Sequence, residues 1–233
     1  MGLSPSPRVM LAGATGMVGD RALRRLLDTP IFKGSVLAPV RRPLALAHPR
    51  LQAPVLDFAL GEEEFAAALE VAAPGPLDVF ACCLGTTLRS AGSREAFIAV
   101  DRELVLRLSR IARARGARHA ILVSSVGASR QSGNFYLRVK GEVEDALETS
   151  GYERVDILQP SLLLGPRAER RPAEALFRRL APAANWLLQG RLKGYRALDA
   201  DRVAQALVGL VGRDEAGIYA HGYEGIVAAA QGI

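Results

Sequence analysis

Short apolar runs alternate along the chain with longer segments in which apolar residues recur at helical spacing. The short runs predict buried strands, and the longer segments predict amphipathic helices. Strands are predicted at residues 8–12, 35–40, 53–56, 77–84, 120–123 and 155–158. Helices are predicted at residues 18–27, 62–71, 94–115, 134–150, 173–189 and 200–211, with an exposed loop at 167–172.

Strands that take turns with helices are typical of a parallel sheet covered by helices on both faces. None of the predicted strands alternates cleanly between apolar and polar residues, which is expected when both faces are buried. The sequence therefore predicts an α/β protein with a Rossmann-type, doubly wound parallel sheet. We expect residues 1–233 to form a single NAD(P)-binding domain, with residues 1–7 flexible and a small C-terminal extension, mainly 160–200, on the substrate side.

A glycine turn follows the first predicted strand and opens the first predicted helix. Its spacing is GxxGxxG, and a helix N-terminus offers unpaired amides and a partial positive charge to a pyrophosphate. Glycines that only allow the helix to pack closely are the alternative interpretation. The predicted cofactor-binding residues of this turn are Gly13, Thr15, Gly16, Met17, Val18 and Gly19.

Two arginines, Arg41 and Arg42, stand at the end of the second predicted strand. NAD-binding proteins of this fold commonly place an acid there to bind the ribose hydroxyls, whereas guanidinium groups suit the 2′-phosphate of NADP. The sequence therefore predicts NADP(H) as the cofactor. Asp57, after the third strand, is predicted to lie near the adenine, or else to cap a helix or turn.

Tyr136 and Lys140 form a YxxxK pair that a helix places about one turn apart on one face. A neighbouring ammonium favours the phenolate form of tyrosine, which otherwise loses its proton near pH ~10. The pair therefore predicts a phenolic acid/base, Tyr136, assisted by Lys140. A serine at the preceding strand end would bind the substrate oxygen; spacing leaves Ser124 and Ser125 open, and Ser125 is favoured because it lies nearer the loop.

Composition and residue spacing indicate which partners, location and metal sites to expect. The net charge of +6 comes largely from scattered arginines with no interleaved aromatic residues, so no nucleic-acid partner is predicted. No apolar run spans a bilayer and no secretory signal is seen, which predicts a cytoplasmic protein without stable membrane insertion. The adjacent cysteines predict a buried, reduced pair, and the three histidines fit no ligand spacing, so no metal site is predicted.

These residues resemble the atypical short-chain dehydrogenase/reductases and, within them, the Tat-interacting-protein-like oxidoreductases. The strings Cys82-Cys-Leu-Gly-Thr-Thr87 and Val139-Lys-Gly-Glu-Val-Glu144 are its most specific parts, and the likeness covers about two-thirds of the chain, from Leu11 to Leu164. It implies bound NADPH and a Ser, Tyr, Lys active site. Further cofactor contacts implied by the resemblance are Leu84, Gly85, Thr86, Pro160, Leu162 and Leu163.

The predicted function is an NADPH-dependent oxidoreductase acting on a small carbonyl or alcohol substrate. An NADPH-binding regulatory or scaffold protein without turnover is the alternative, and a protein partner or homodimer is compatible with either. Nucleotide-sugar epimerase or dehydratase activity uses the same residues, but only 78 residues follow Val155, fewer than the larger substrate domain of such enzymes needs. The arginine-rich segment 167–196 departs from the resemblance, so the substrate itself is not predicted.

Overall fold

The computed structural model describes residues 6–30, 32–161, 163–164 and 197–231. The strands in chain order are β1 Arg8–Ala12, β2 Ser35–Leu37, β3 Leu51–Gln52, β4 Val79–Cys82, β5 His119–Val123, β6 Arg154–Leu158, β7 Leu163–Leu164, β8 Leu198–Asp199 and β9 Gly217–His221. The helices are α1 Met17–Asp28, α2 Glu62–Ala72, α3 Leu88–Ala91, α4 Arg94–Ile98, α5 Val105–Ala114, α6 Phe135–Glu148, α7 Ala200–Leu210 and α8 Tyr223–Ala229. A π-helical segment, Ala99–Leu104, joins α4 to α5.

Seven of these strands form one parallel sheet in the order β3-β2-β1-β4-β5-β6-β9. The first strand lies between β2 and β4, with Val9 opposite Val36 on one side and Val79 on the other. After β1 the chain adds β2 and β3 on one side of that strand, and then β4, β5, β6 and β9 on the other side. A reversal of this kind leaves a crevice at the carboxyl ends of β1 and β4, where such sheets bind ligands. The predicted Rossmann-type fold is confirmed.

Helices cover both faces of the sheet, as the absence of alternation in the strands predicts. On β1, Val9 and Leu11 contribute to the core shared with α1, α7 and α8. Met10, between them, contributes to the opposite core, shared with α2, α5 and α6. Both faces of β1 are therefore apolar, and its carboxyl end opens between the two helical layers.

The third strand differs from its prediction at residues 53–56, because the paired segment is Leu51–Gln52 and only an isolated bridge joins Val40 to Val55. Alternate amides of β3 would donate to β2, and Pro54 has no amide hydrogen to continue that ladder. Proline therefore ends the regular pairing, although the Leu56 amide still donates to the Val40 carbonyl at 2.9 Å.

The helix predicted at residues 94–115 also differs, because α4, the π-helical segment and α5 follow one another there. The sequence did not predict α3, the β7–β8 pair, β9 or α8. The predicted loop at 167–172, the helix at 173–189, most of the substrate-side extension and residues 1–5 of the flexible start lie outside the described residues.

Candidate active site

The glycine turn between β1 and α1 is dense with backbone contacts. Gly13 has a φ of +81°, and a Cβ there would lie 2.7 Å from the carbonyl carbon of Cys83. A Cβ at Gly19 would lie 2.0 Å from the carbonyl oxygen of Gly13. Backbone packing alone therefore requires glycine at these two positions. At Gly16 the nearest atom to an added Cβ is 3.3 Å away, so packing explains this glycine much less well.

The start of α1 presents amides without intrahelical acceptors. Gly16 is the N-cap residue, and the first helical hydrogen bond runs from the Asp20 amide to the Gly16 carbonyl at 2.9 Å. The amides of Met17 and Val18 precede that bond, as the first amides of every helix do. Because Val18 is only 6% exposed, its side chain belongs to the core and its amide alone faces the turn. The arrangement is a ready seat for a phosphate.

Arg41 and Arg42 are both exposed directly after the bridge that joins Val40 to Val55. Neither guanidinium group takes part in any ion pair between described residues, so both are free to meet an anion at this edge. Asp57 is exposed, and its Oδ1 accepts a hydrogen bond from the Ala59 amide at 2.8 Å. This hydrogen bond makes Asp57 a turn cap, one of the two roles predicted from the sequence, whereas its contact with an adenine stays a prediction.

Asp101 is a central residue of the candidate site, and its role was not predicted from the sequence. It lies in the π-helical segment, is fully buried, and its Oδ1 lies 2.9 Å from Nζ of Lys140. Its Oδ2 accepts a hydrogen bond from the Thr86 amide at 2.8 Å. One carboxylate thus joins the predicted catalytic lysine to the predicted cofactor loop, Leu84–Gly85–Thr86. Its signal in the sequence is an acid among the apolar positions of a predicted helix.

Tyr136 and Lys140 occupy the first turns of α6, which begins after an N-cap, Asn134, whose side chain accepts from the Leu137 amide. Tyr136 is half-buried, with its ring centroid 5.8 Å from that of Phe97. Lys140 is only 4% exposed. The two predicted catalytic residues therefore lie one helical turn apart on α6, and the side chain of Lys140 is paired with Asp101.

The charge of Lys140 depends on its neighbours. Burial alone lowers the pKa of the ammonium, but the charge of Asp101, the electrostatic influence of Tyr136 and the hydrogen bond to Asp101 outweigh it, so the pKa of Lys140 is raised above its ordinary value. Lys140 is accordingly a fixed cation at neutral pH. This is the charge that a phenolic acid/base needs beside it.

The loop between β5 and α6 lies directly against the helix. A Cβ at Gly141 would lie 2.3 Å from the carbonyl carbon of Ser129, and the Ser129 amide donates to the Leu137 carbonyl at 3.1 Å. Gly141 is therefore required by backbone contact, and it fixes the loop that carries the two predicted serines relative to α6.

The two predicted serines have different surroundings. Ser124 is 6% exposed and lies beside Glu144, whose Oε2 accepts a hydrogen bond from Nε2 of Gln159 at 2.9 Å. Burial raises the pKa of Glu144, and Ser124 and Gln159 oppose that rise only in part. Ser125 is half-buried. Because Ser124 points to this internal cluster, the geometry favours Ser125 as the serine that faces a substrate, which stays a prediction.

Of the predicted residues after β6, Pro160 is buried and its carbonyl accepts from the Val126 amide at 2.9 Å. This bond joins the end of β6 to the loop that follows Ser125. Leu163 packs against the core shared with α1 and α7. Leu162 lies outside the described residues. Nicotinamide contacts by Pro160 and Leu163 stay predictions.

Two histidines that look isolated in the sequence share one buried carboxylate. Nε2 of His119 lies 2.7 Å from Oδ2 of Asp156, and Nε2 of His221 lies 2.6 Å from Oδ1. Arg154 donates to the same carboxylate through Nε, at 2.6 Å, and through Nη2, at 2.9 Å. This cluster ties β5, β6 and β9 together. Among the described residues no group of His, Cys, Asp or Glu has metal-binding geometry, and the cluster is best explained as structural.

A model of the NAD(P)H-binding family matches residues 13–175, more than half of the chain. The chain belongs to the NAD(P)H-binding family. The match begins at the first glycine of the turn and extends past β6, so the matched region includes the glycine turn, Lys140 and Pro160.

The curated relatives confirm the predicted resemblance. The mitochondrial protein fmp52 of Aspergillus clavatus is 38% identical over 202 residues, covering 86% of this chain and 85% of the relative. Protein HTATIP2 of Rattus norvegicus is 38% identical over 174 residues, covering 73% and 69% respectively.

Solved structures agree with the fold. A UDP-N-acetylglucosamine 4-epimerase from Methanobrevibacter ruminantium superimposes with a TM-score of 0.66 over 94% of this chain and 77% of that chain, at 14% identity. At that identity the likeness shows the fold alone. This NAD(P)H-binding protein therefore shares the Rossmann-type fold of short-chain dehydrogenases and epimerases.

The prediction of a cytoplasmic protein is wrong. The fmp52 relatives from four Aspergillus and Emericella species are named as mitochondrial proteins, which points away from the cytoplasm. Secretory signals and membrane spans say nothing about mitochondrial targeting, which uses amphipathic, arginine-rich segments. In the described part of the chain, no helix is long and apolar enough to cross a membrane.

Proposed function

We propose that this protein is an NADP(H)-dependent oxidoreductase that interconverts a small carbonyl compound and the corresponding alcohol. One observation carries the proposal: Lys140 is buried, charged and one helical turn from Tyr136, at the edge of the sheet where the glycine turn opens α1. Burying an ammonium group costs free energy, and buried ionisable groups with a specific charged partner are frequent at functional sites.

The residues present fit a dinucleotide. The amides of Met17 and Val18 would hold the pyrophosphate, where Gly16 leaves the approach free of a side chain. Arg41 and Arg42 would bind the 2′-phosphate of the adenosine half, because they are exposed cations without an ion-pair partner among the described residues. Leu84, Gly85, Thr86 and Pro160 would line the nicotinamide half. NADPH, when bound, supplies the hydride.

Tyr136 would give its phenolic proton to the carbonyl oxygen during reduction and take it back during oxidation. Lys140 stabilises the phenolate that remains, and it would also donate a hydrogen bond to the nicotinamide ribose. Ser125 would donate a hydrogen bond to the substrate oxygen and so hold it near Tyr136. Each of these roles requires only the positions that the three residues already occupy at the start of α6 and the end of β5.

The proposal is tested with Tyr136→Phe, which keeps the ring that contacts Phe97 and removes only the hydroxyl group. We expect turnover on a panel of aldehydes and ketones to fall by at least about a hundredfold, the usual contribution of an acid/base group, with NADPH affinity unchanged. Tyr219→Phe is the matched control, because Tyr219 lies on β9 and its hydroxyl donates to the carbonyl of Ala216, the residue just before that strand.

Unchanged turnover in Tyr136→Phe would remove the phenol from the mechanism. Tight NADPH binding by the wild type without turnover of any carbonyl on the panel would instead support a regulatory protein. Calorimetry that shows binding of neither NADPH nor NADH to the folded protein would refute the cofactor seat itself.

A further inference from the structure

The ion pair between Asp101 and Lys140 lies wholly inside the protein. The side chain of Asp101 is 0% exposed and that of Lys140 is 5% exposed. A buried ion pair costs more desolvation free energy than a surface pair and is often no more stable than an apolar replacement. Stability alone is therefore a weak reason for this pair.

The π-helical segment explains how Asp101 reaches two partners. A π turn accommodates one extra residue and is frequent at functional sites. Phe97 and Val105, one turn before and after Asp101, are both buried, so the carboxylate projects from the apolar face of the helix. From there it meets Nζ of Lys140 and the Thr86 amide.

The chain uses lysine rarely and keeps one at this position. Of 30 basic residues only three are lysines: Lys33, Lys140 and Lys193. The Gly85 backbone lies close to this pair, since a Cβ there would lie 3.4 Å from Nζ and 3.5 Å from Oδ1 of Asp101. The compact ammonium of lysine and the wide guanidinium group of arginine are not interchangeable at such a site.

We propose that Asp101 is a positioning residue that fixes Lys140 beside Tyr136, keeps it in its ammonium form, and connects it through Thr86 to the cofactor loop. The catalytic consequence rests on the proposed function. The effect on the charge of Lys140 does not, and it can be measured on the protein alone.

The titratable groups that face Lys140 are Asp101 from the π-helical segment, Tyr136 from its own helix and Cys82 from β4. Burial raises the pKa of the Cys82 thiol to about 11, so this group is neutral near pH 7. Burial is the largest influence on Lys140 and favours the neutral amine, and Asp101 is the largest influence against it. In a variant without the Asp101 carboxylate, no full negative charge would oppose the lowering of the Lys140 pKa by burial.

The experiment is carbon-13 NMR of protein labelled at lysine Cε, whose chemical shift reports loss of the ammonium proton. With three lysines in the chain, the Lys33→Arg and Lys193→Arg variants assign the signals. In the wild type, the Lys140 signal should titrate at higher pH than in the urea-unfolded protein. In Asp101→Asn it should titrate at lower pH than in the unfolded protein.

Glu103→Gln is the matched control, because it removes one negative charge from the same π-helical segment where the side chain is 59% exposed and paired with Arg102. It should leave the Lys140 titration unchanged. A wild-type Lys140 that titrates below the unfolded reference would overturn the proposal even if Asp101→Asn failed to fold. Equal midpoints in the wild type and Asp101→Asn would also overturn it.

Turnover gives a second readout. If Asp101 keeps Lys140 charged, the alkaline limb of the kcat profile in Asp101→Asn moves to lower pH, because the amine loses its proton there. A role limited to packing would lower kcat by the same factor at every pH. Failure of the proposed function would abolish the turnover profiles but leave the NMR prediction intact, so the two failures are distinguishable.

Discussion

Gly16 and Gly19 lie one helical turn apart, and alanine at each should have opposite consequences. A Cβ at Gly19 would lie 2.0 Å from the carbonyl oxygen of Gly13, well inside contact distance. Overpacking typically costs about 1–3 kcal/mol, and we expect about 3 kcal/mol here because both partners are backbone. In a chain of this size that lowers Tm by about 6–12 °C.

Gly16→Ala should leave the fold nearly unchanged. Its φ of −80° and ψ of 171° are open to any residue, and the nearest atom to the new Cβ is 3.3 Å away, so replacing this N-cap glycine should cost less than about 1 kcal/mol. The new methyl group would, however, stand where the pyrophosphate meets the amides. Losing one charge-assisted hydrogen bond costs about 1.5–3 kcal/mol, which weakens NADPH binding by about 10- to 150-fold.

Urea unfolding followed by circular dichroism measures the first effect, and NADPH fluorescence titration measures the second. Gly222→Ala is the control, since Gly222 is the N-cap of α8, has similarly extended dihedral angles and has no atom within 4 Å of an added Cβ. The reasoning fails if Gly16→Ala binds NADPH as tightly as the wild type. It fails equally if Gly16→Ala unfolds as easily as Gly19→Ala.

Further predictions concern the arginines, the loop and the buried cluster. Replacing Arg41 and Arg42 by alanine should weaken NADPH binding about 10- to 100-fold in calorimetry and leave NADH binding unchanged, whereas equal weakening of both would refute 2′-phosphate recognition. Gly141→Ala should lower the free energy of unfolding by about 1–3 kcal/mol in urea, because its Cβ would meet Ser129 at 2.3 Å; an unchanged midpoint would contradict this. Asp156→Asn should cost about 3–5 kcal/mol, since it leaves Arg154 buried without its carboxylate, and a loss below 1 kcal/mol would show that the cluster is dispensable. Burial lowers the pKa of His119, and hydrogen bonds from His119, His221 and Arg154 lower the pKa of Asp156 despite its burial. Both groups therefore bind protons more readily in the unfolded chain, so the free energy of unfolding should fall as the pH drops below 6.5 and again below 3.8. A wild-type free energy of unfolding that does not change with pH would refute this.

The parts of the site that the sequence predicted are those whose signals are local. The glycine turn, the YxxxK pair and the serines at a strand end each lie within one turn or loop, so spacing alone places them. Asp101 and the Asp156 cluster depend on long-range partners, and the bonds from Asp156 to His119 and His221 join residues 37 and 65 positions apart. No spacing rule connects residues so distant.

Two predicted elements differ from the structure, the third strand and the helix at residues 94–115. The third strand ends before its predicted start because Pro54 lacks the amide that the ladder requires, which the sequence already showed. The π-helical segment was not foreseeable in the same way, because residues 94–115 read as one continuous amphipathic helix. Asp101, an acid between the buried positions Phe97 and Val105, departed from that pattern.

Asp101 and Asp156 are both fully buried, but their carboxylates meet different partners, which separates a structural cluster from the proposed site. Asp156 receives donors from His119, from His221 and from Nε and Nη2 of Arg154, so each of its oxygens accepts two hydrogen bonds. Lys140 has three N–H donors and, among the described residues, one ion-pair partner, Oδ1 of Asp101. A buried donor with unused capacity is costly unless a ligand completes it. The remaining donors of Lys140 are thus the ones that the ribose and the Tyr136 phenolate would engage.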